Sequence, residues 1–335
     1  MMMTDAVPLF SVIIPFKVWN PDLDECLRRL AGMEGPAWEA ILLPDDETVL
    51  PEEYAGLPIT VIPTSEVGPA IKRDRGAESA KAPYLAFIDD DAYPFRDWLR
   101  EAEKALTQDG DELSAIGGPA ITPASDPFWS RVSGAVFLSR LSGGFPERYV
   151  PVEPGRFIDD WPSVNLIVAK NVFLEIGGFD SVYWPGEDTK LCRDIVTRGG
   201  RIRYIPSMKV HHHRRASLKK HLVQVGNYGF HRGLFARKYP ETSRKPIFFI
   251  PSLFVLFLAI GLPGSYFIKE VYWLFAIGMG AYGVALVKVF GDMVKYEPIV
   301  IGVLALPYVF MTHIWYGVRF MVGLASNNYK ASLGR

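Results

Sequence analysis

The chain has 335 residues, of which 49% are hydrophobic and 22% are charged. This composition excludes a disordered chain, a collagen-like fibre and a disulfide-stapled miniprotein. The 36 basic and 37 acidic residues give a formal net charge of −1, so no overall positive field attracts nucleic acid, and we expect no nucleic-acid partner. Cys26 and Cys192 are the only cysteines, which predicts a reducing compartment, no disulfide and no structural zinc site.

Short apolar runs alternate with helical patterns in the first third of the sequence. The predicted strands are residues 10–15, 40–43, 59–62, 84–88 and 114–116, and the predicted helices are residues 23–33, 68–80 and 95–106. This alternation predicts an α/β fold with a mostly parallel sheet that helices cover on both faces. Ligands of such sheets bind at the carboxyl ends of the strands, so the polar residues just after each strand are the first candidates for a site.

Three consecutive acids, Asp89, Asp90 and Asp91, follow the predicted strand at residues 84–88. Carboxylate clusters bind hard divalent cations that bridge to phosphate groups, and this pattern therefore favours a Mg²⁺ or Mn²⁺ site. A solvated turn is the alternative, and Pro94 is compatible with it.

A second acidic pair, Glu187 and Asp188, directly precedes a helical pattern that begins at residue 189. Acids are common in the first turn of a helix, so a capping role stays open beside a catalytic one. Trp184 lies just before this pair and is the aromatic residue of this region best placed to contact a ligand. We expect most of the other aromatic rings between residues 129 and 183 to belong to the core.

Three histidines, residues 211–213, follow a predicted strand at residues 204–210. Imidazole is a usable ligand for Mn²⁺ and a poorer one for Mg²⁺, so one of the three could complete a metal site. Strand alternation puts His212 on the opposite face from the other two. Structural roles near a membrane surface are the alternative for each of them.

Residues 213–246 form a basic segment in which nine Lys and Arg residues face a single acid, Glu241. Apolar residues recur between the charges at roughly helical spacing, which predicts an amphipathic helix on anionic lipid headgroups. Gly226 and Gly229 interrupt the pattern, so an ordinary soluble surface helix is the alternative.

Three uncharged stretches follow: 22 residues at 247–268, 17 at 271–287 and 20 at 299–318. About 20 apolar residues cross the hydrocarbon core of a bilayer, so residues 247–318 are predicted to contain about three transmembrane helices, with a tail at residues 319–335. A hairpin buried in a soluble core is the alternative.

The basic segment also predicts orientation, because positive charges next to a span stay on the cytoplasmic side. The first 246 residues of this multi-pass membrane protein are therefore expected in the cytoplasm. Three spans would leave the C-terminus outside, yet the tail contains Arg319, Lys330 and Arg335. The topology of the last helix stays open at this point.

Several motifs occur in an order that resembles the family 2 glycosyltransferases. They are Ser11-Val12-Ile13-Ile14-Pro15, Leu43-Pro44-Asp45-Asp46-Glu47, Lys72-Arg73-Asp74-Arg75-Gly76, Phe87-Ile88-Asp89-Asp90-Asp91, Gly177-Gly178-Phe179-Asp180 and Gly186-Glu187-Asp188. The resemblance implies a GT-A, Rossmann-like nucleotide-sugar domain over residues 1–212, a divalent cation (Mn²⁺ or Mg²⁺) and inversion at the anomeric carbon by direct displacement.

The resemblance also implies roles for individual residues. The implied donor-binding residues are Pro15, Phe16, Asp46, Arg73, Asp89 and Asp90, and the implied metal ligands are Asp91 and His212. Direct displacement needs a carboxylate that takes the acceptor's proton, and Asp188 is the candidate base, with Glu187 and Trp184 binding the acceptor. The family commonly has Asn where Asp74 stands, so the resemblance does not predict the sugar or the base.

Processive relatives carry a Gln-x-x-Arg-Trp motif near the membrane, whereas this chain has Gln224-Val225-Gly226-Asn227-Tyr228. We therefore expect transfer of a single sugar from a nucleotide-diphosphate sugar to a lipid-linked acceptor, in contact with membrane lipids. A soluble or protein-borne glycan acceptor and a non-catalytic scaffold subunit are the alternatives. The sequence leaves the oligomeric state open.

Overall fold

The computed structural model describes residues 7–109, 113–179, 181–183 and 185–326. The strands in chain order are β1 (Phe10–Pro15), β2 (Trp38–Leu43), β3 (Ile59–Val61), β4 (Tyr84–Phe87), β5 (Ala92–Pro94), β6 (Leu113–Gly117), β7 (Ala120–Ile121), β8 (Arg156–Ile158), β9 (Leu166–Ala169), β10 (Arg201–Tyr204) and β11 (Val210–His212). Eight of them form one sheet in the order β3-β2-β1-β4-β9-β6-β10-β8, and β5-β11-β7 form a second. Only β8 and β9 run against the other strands of the large sheet, which confirms the predicted mostly parallel sheet.

The helices in chain order are α1 (Pro21–Ala31), α2 (Pro69–Ser79), α3 (Trp98–Asp109), α4 (Phe128–Ala135), α5 (Lys170–Ile176), α6 (Glu187–Thr197), α7 (Leu218–Lys238), α8 (Pro240–Ser243), α9 (Pro246–Phe267), α10 (Lys269–Met293) and α11 (Ile299–Ala325). Helix α1 shows how local sequence sets an end, because Asn20 accepts a hydrogen bond from the Leu23 amide and Pro21 follows at the first helical position. The helices that flank β1–β4 lie within a few residues of their predicted positions.

Apolar side chains pack on both faces of the large sheet. One cluster includes Val12 and Leu42 with Trp98, and the other includes Ile13 and Phe87. The central strands β1, β2, β4 and β9 are therefore almost fully buried, which is why their sequences are nearly continuous apolar runs instead of alternating ones.

The predicted strand at residues 204–210 is wrong as a single strand. Strand β10 ends at Tyr204 in the large sheet, and β11 begins at Val210 in the small one. A turn separates them, with the Met208 amide donating to the Ile205 carbonyl oxygen. Pro206 lacks an amide hydrogen and cannot continue a sheet ladder, which accounts for the break.

The described residues form two compact units. The first contains residues 7–121 and Val150–His212, and the second contains Thr122–Tyr149 together with the residues that follow His212. The predicted domain over residues 1–212 thus differs from the structural division, because residues 122–149 are grouped with the C-terminal helices. We call Thr122–Tyr149 the inserted segment.

In the second unit, α7 continues unbroken through Gly226 and Gly229. A Cβ atom built on Gly229 would lie 2.5 Å from the Tyr316 carbonyl oxygen, and one on Gly226 would lie 2.4 Å from the Trp315 ring nitrogen. These glycines therefore let α7 and α11 approach closely, as small residues do between packed helices. Their cost in helix propensity is offset by this packing.

Helices α9, α10 and α11 are long and apolar enough to cross a membrane, with 22, 25 and 27 residues. They match the three uncharged stretches of the sequence. Buried residues make up only 11% and 6% of the most apolar stretches of α9 and α10, but 33% of that of α11. Few residues of the first two helices are thus fully buried within the chain.

Candidate active site

The candidate site begins where the order of the large sheet reverses. Strand β1 lies between β2, which continues to β3, and β4, which continues the chain on the other side. The residues that follow β1 and β4 come together at this edge, where the Ile88 amide donates to the Ile13 carbonyl oxygen. Such a reversal leaves a crevice at the carboxyl ends of the strands, where ligands of α/β sheets bind.

Asp89, Asp91 and His212 form a candidate metal centre at this edge. Each offers one ligand atom, and these atoms lie within 4.8 Å of one another. His212 joins the cluster because β11 pairs with β5 and aligns His212 with Ala92, next to Asp91. Its Nε2 lies 3.1 Å from Asp91 Oδ1. Ligands bound at about 2.1 Å lie roughly 3–4 Å apart, so these residues fit a divalent cation, and an imidazole among carboxylates suits Mn²⁺.

The other two histidines of the run do not belong to this cluster of described residues. The His211 ring stacks on Phe95 at 4.4 Å and packs against Tyr93 at 4.9 Å. In the second unit, His213 pairs with Asp126, which also accepts a hydrogen bond from the Arg214 amide. Strand alternation thus separates His212 from its neighbours, as the sequence predicts.

Asp90 points away from this ligand set and accepts a hydrogen bond from Asn20 Nδ2 at 2.8 Å. Burial and then the charge of Asp91 raise the pKa of Asp90 to about 7. Asn20 therefore has two roles, because its other side-chain atom caps α1. No local pattern predicts the contact with Asp90, which is 70 positions away.

Arg73 is the central contact of the site. Its Nη2 lies 2.6 Å from Asp89 Oδ1 and its Nη1 lies 3.1 Å from Glu187 Oε1, while its side chain is only 4% exposed. Burial alone would lower the pKa of Arg73, but the carboxylates of Asp89 and Glu187 raise it above its ordinary value. Arg73 was predicted to bind the donor, and the structure shows its guanidinium held by two acids of the site.

The acids Glu187 and Asp188 occupy the first turn of α6. Glu187 Oε2 accepts from the Gly186 amide at 2.9 Å, and Asp188 Oδ1 accepts from the Thr189 amide at 2.7 Å. Gly186 has a φ of 128°, a conformation that favours glycine. The two acids thus bind backbone amides within the first turn, although the N-cap position itself is Gly186 without a side-chain cap, and Asp188 is a partly buried carboxylate.

Glu187 is buried against Arg73. Burial, followed by the like charge of Asp188, raises the pKa of Glu187 above its ordinary value, and the Arg73 guanidinium opposes that rise. The Arg73 side chain also lies over the Phe179 ring, 5.4 Å from its centre. The acid pair and the metal cluster are thus joined through one side chain.

Lys72 is a site residue that sequence reasoning missed. Its Nζ contacts the carbonyl oxygens of Phe16 at 2.5 Å and Leu43 at 3.1 Å, and it pairs with Asp45 at 2.6 Å. One buried ammonium therefore ties together the segments that follow β1 and β2. Asp46, predicted to bind the donor, is exposed beside Asp45.

Pro15 and Phe16 are both buried at the end of β1. Trp184, predicted to bind the acceptor, lies outside the described residues. Trp161 is 2% exposed and donates from its ring nitrogen to the Gly118 carbonyl oxygen. Trp161 therefore belongs to the core, as expected for most aromatic residues of this region.

Curated relatives cover part of the chain. A pre-mycofactocin glycosyltransferase of Mycobacterium tuberculosis is 26% identical over 240 residues, which cover 70% of this chain and 48% of the relative. A dolichyl N-acetyl-α-D-glucosaminyl phosphate 3-β-D-2,3-diacetamido-2,3-dideoxy-β-D-glucuronosyltransferase of Methanococcus voltae is 23% identical over 168 residues, which cover 49% of this chain and 51% of the relative. The matched part of the chain spans about half the length of these relatives.

A solved structure matches nearly the whole chain. The mannosyltransferase PcManGT from Pyrobaculum calidifontis, in complex with GDP-Man and Mn²⁺, has a TM-score of 0.58 and 17% sequence identity, and the match covers 97% of this chain and 89% of that one. This likeness shows a shared GT-A fold. The predicted fold class is therefore confirmed, including the helices that follow the sheet.

The family model of glycosyl transferase family 2 matches residues 11–158. These residues include four of the motifs described above and the ends of β1, β2 and β4. With the relatives and the shared fold, this match confirms the resemblance that the motifs indicate. Residues 11–158 of the chain are thus similar to glycosyl transferase family 2, in agreement with the glycosyltransferase relatives.

Proposed function

We propose that the protein is a membrane-anchored, metal-dependent, inverting glycosyltransferase. It moves one sugar from a nucleotide-diphosphate sugar to a lipid-linked acceptor, such as a polyprenyl phosphate, a polyprenyl-linked glycan or a glycolipid. The observation that carries the proposal is the pairing of Arg73 with both Asp89 and Glu187. It joins the metal cluster and the acid pair into one centre, as a single displacement step requires.

The proposed chemistry uses the acids of this centre. Asp188 accepts the proton of the acceptor hydroxyl as the hydroxyl oxygen attacks the anomeric carbon and the bond to the diphosphate oxygen breaks. Asp91, His212 and Asp89 would hold a divalent cation, which would supply charge neutralisation for the departing diphosphate. Pro15, Phe16, Asp46 and Asp90 contribute to the donor pocket.

Arg73 and Glu187 position the proposed base, Asp188. Arg73 opposes the rise in the pKa of Glu187 and holds its side chain through a buried ion pair, and Glu187 in turn accepts a hydrogen bond from the Gly186 amide at the start of α6. Asp188 is thereby held at the first turn, where the helix dipole favours its charged form. A charged carboxylate is what a general base requires.

The relatives support the donor, metal and acceptor classes. The Pyrobaculum mannosyltransferase was solved with GDP-Man and Mn²⁺, and the Methanococcus relative is named for transfer to a dolichyl-phosphate-linked sugar. The apolar helices α9–α11 and the basic helix α7 support a location at a membrane. We place the sugar-transfer unit on the cytoplasmic side, since the basic residues before α9 favour that side.

The test is a transfer assay on the full chain in detergent or nanodiscs. A panel of nucleotide sugars is supplied with Mn²⁺ or Mg²⁺, with and without a native membrane lipid extract. Transfer that requires both metal and lipid supports the proposal and identifies the donor. Equal turnover on free saccharides contradicts the lipid-linked acceptor, and metal-dependent donor binding without turnover favours the scaffold subunit.

The matched variants are Asp188→Asn and Asp194→Asn, which make the same change on the same helix. Asp194 pairs with Lys190 and Arg193, away from the acids that Arg73 holds. Loss of a general base lowers rates by about 10²–10⁴-fold, so we expect that loss in kcat for Asp188→Asn alone. Full activity of Asp188→Asn would overturn the assignment of the base.

A further inference from the structure

Helix α11 has two different faces. One face carries exposed apolar side chains, recurring within one or two helical turns: Val300, Val303, Leu304, Pro307, Met311, Trp315 and Val322. The opposite face is buried and includes Tyr308, Thr312 and Phe320. What covers this buried face decides whether α11 can cross a membrane.

The second half of α11 is covered by α7. The first contact joins His221 Nε2 to Thr312 Oγ1 at 2.8 Å. Further along, a Cβ atom on Gly233 would lie 2.0 Å from the Phe320 carbonyl oxygen, and Arg237 donates to the Ser326 carbonyl oxygen. Helix α7 therefore stays against α11 from Thr312 to its end.

Helix α7 is unsuited to the hydrocarbon core. It carries five basic residues and no acidic residue, with the basic ones at Lys219, Lys220, Arg232, Arg237 and Lys238. Charged side chains are strongly disfavoured in the middle of a bilayer. The half of α11 that packs on α7 is therefore held at the depth of the headgroups.

The first half of α11 is too short to span alone. The residues from Ile299 to Met311 rise about 20 Å, whereas the hydrocarbon core is about 30 Å thick. The inserted segment also holds this half, because Trp129 stacks on Tyr308 and Arg131 pairs with Glu297 at 2.6 Å. The inserted segment thus contacts the first half of α11 and α7 the second, while the first turns of α9 also contact α11 through Phe249 and Ser252.

Helices α9 and α10 behave differently. At 22 and 25 residues they rise about 33 and 37 Å, which is enough to cross. They pack on each other through Phe257 and Phe275 and leave most of their surface exposed. The turn between them carries exposed Tyr266 and Trp273, residue types that concentrate where a membrane meets water.

We propose that α11 lies along the membrane surface with its exposed apolar face against the lipid, and that only α9 and α10 cross. The chain then crosses twice, and the tail returns to the side of the basic helix α7. This topology places Arg319, Lys330 and Arg335 on the positively charged side, which removes the conflict that three spans create. The inference does not depend on the transfer activity.

The first experiment locates three positions of the full chain with a membrane-impermeant maleimide in intact cells. Three variants each add one cysteine to the chain: Lys219→Cys in α7, Tyr266→Cys near the end of α9, and Ser332→Cys in the tail. The native cysteines, Cys26 and Cys192, are buried, and the parent chain measures their background. We expect Lys219→Cys and Ser332→Cys to label alike and Tyr266→Cys to label on the opposite side.

Two outcomes overturn the proposal. Labelling of Ser332→Cys on the same side as Tyr266→Cys means an odd number of crossings. Labelling of all three on one side means that the hairpin does not cross.

A depth measurement tests α11 directly. Spin labels at Leu304, Met311 and Trp315 in nanodiscs are compared with one at Ile260 in α9. An in-plane helix gives the first three labels a similar shallow depth and the Ile260 label a greater one. A depth that changes across the 11 residues from Leu304 to Trp315, about 16 Å along a helix, contradicts the proposal.

Discussion

Replacing Arg73 by methionine removes a buried cation from between two acids. Arg73 is 4% exposed, and its partners Glu187 and Asp89 are 6% and 30% exposed. Breaking a buried ion pair by removing one partner costs about 3–5 kcal/mol, because it leaves an uncompensated charge. For a domain of this size that loss lowers the melting temperature by roughly 6–20 °C.

The penalty of Arg73→Met depends on pH in a defined direction. Burial already raises the pKa of Glu187, and loss of the guanidinium raises it further, so the folded variant takes up a proton that the unfolded chain binds less tightly. A raised carboxyl pKa makes stability fall as pH rises from the unfolded pKa to the folded one. The penalty is therefore small near pH 5 and largest in mildly alkaline buffer.

The assay is thermal unfolding of the full chain in detergent at pH 5 and pH 8. The control is the pair Arg73→Met with Glu187→Gln, in which a neutral amide replaces the stranded carboxylate. We expect the double variant to be more stable than Arg73→Met alone at pH 8 and about equal to it at pH 5. A double variant that is no more stable at pH 8 would refute the idea that Arg73 compensates the charge of Glu187.

Three further predictions concern other parts of the chain. In calorimetric titration, His212→Ala is expected to weaken Mn²⁺ binding at least about tenfold, whereas His211→Ala, which removes a stacked ring, leaves that affinity unchanged. An equal loss of affinity in both variants would contradict the assignment of His212 as a ligand. Burial lowers the pKa of His221 to about 4, so between pH 4 and 6.5 the folded protein binds fewer protons than the unfolded chain and stability falls as pH falls. His221→Gln should therefore show a smaller drop in melting temperature between pH 7 and 4.5 than the parent chain. An identical drop in both would contradict the contribution of buried neutral His221 to acid sensitivity. Gly233→Leu is expected to lower the melting temperature because the new side chain would separate α7 from α11. Gly280→Leu is expected to leave the melting temperature unchanged, because Gly280 faces open space. Equal effects of the two variants would contradict the packing argument.

The ligand types of the site could be predicted because they follow from local patterns. Asp89 and Asp91 come directly after an apolar strand, and parallel strands present their carboxyl ends at one edge. His212 could be separated from its two neighbours by the alternation of side chains along a strand. These inferences require only short stretches of sequence and the geometry of a sheet.

Contacts between distant positions could not be predicted in this way. Arg73 and Glu187 are 114 positions apart, and an isolated Arg in a helix gives no sign that its partners are acids instead of a phosphate. Lys72 likewise contacts the ends of β1 and β2 through backbone oxygens, which every residue type possesses. Tertiary structure alone selects these partners.

The roles of residues in helices α7 and α11 could not be predicted from local sequence either. Gly226 and Gly229 weaken a helix when judged by propensity, yet they are needed where α11 packs against α7. The length and hydropathy of α11 favour a span, and neither quantity reports which elements cover one of its faces. The role of each residue here depends on its packing partner.

The inserted segment has a consequence for synthesis of the protein on the ribosome. Ser133 Oγ contacts His221, and Ser139 Oγ donates to Asp292, so Thr122–Tyr149 finds its partners only after α7 and α10 have been made. At 5–20 residues per second, α11 is completed roughly 10–35 seconds after residue 149 leaves the peptidyl transferase centre. During that interval the inserted segment lacks the helices against which it packs. In a chain truncated before α7 the segment never gains these partners, so it would be open to proteolysis and self-association.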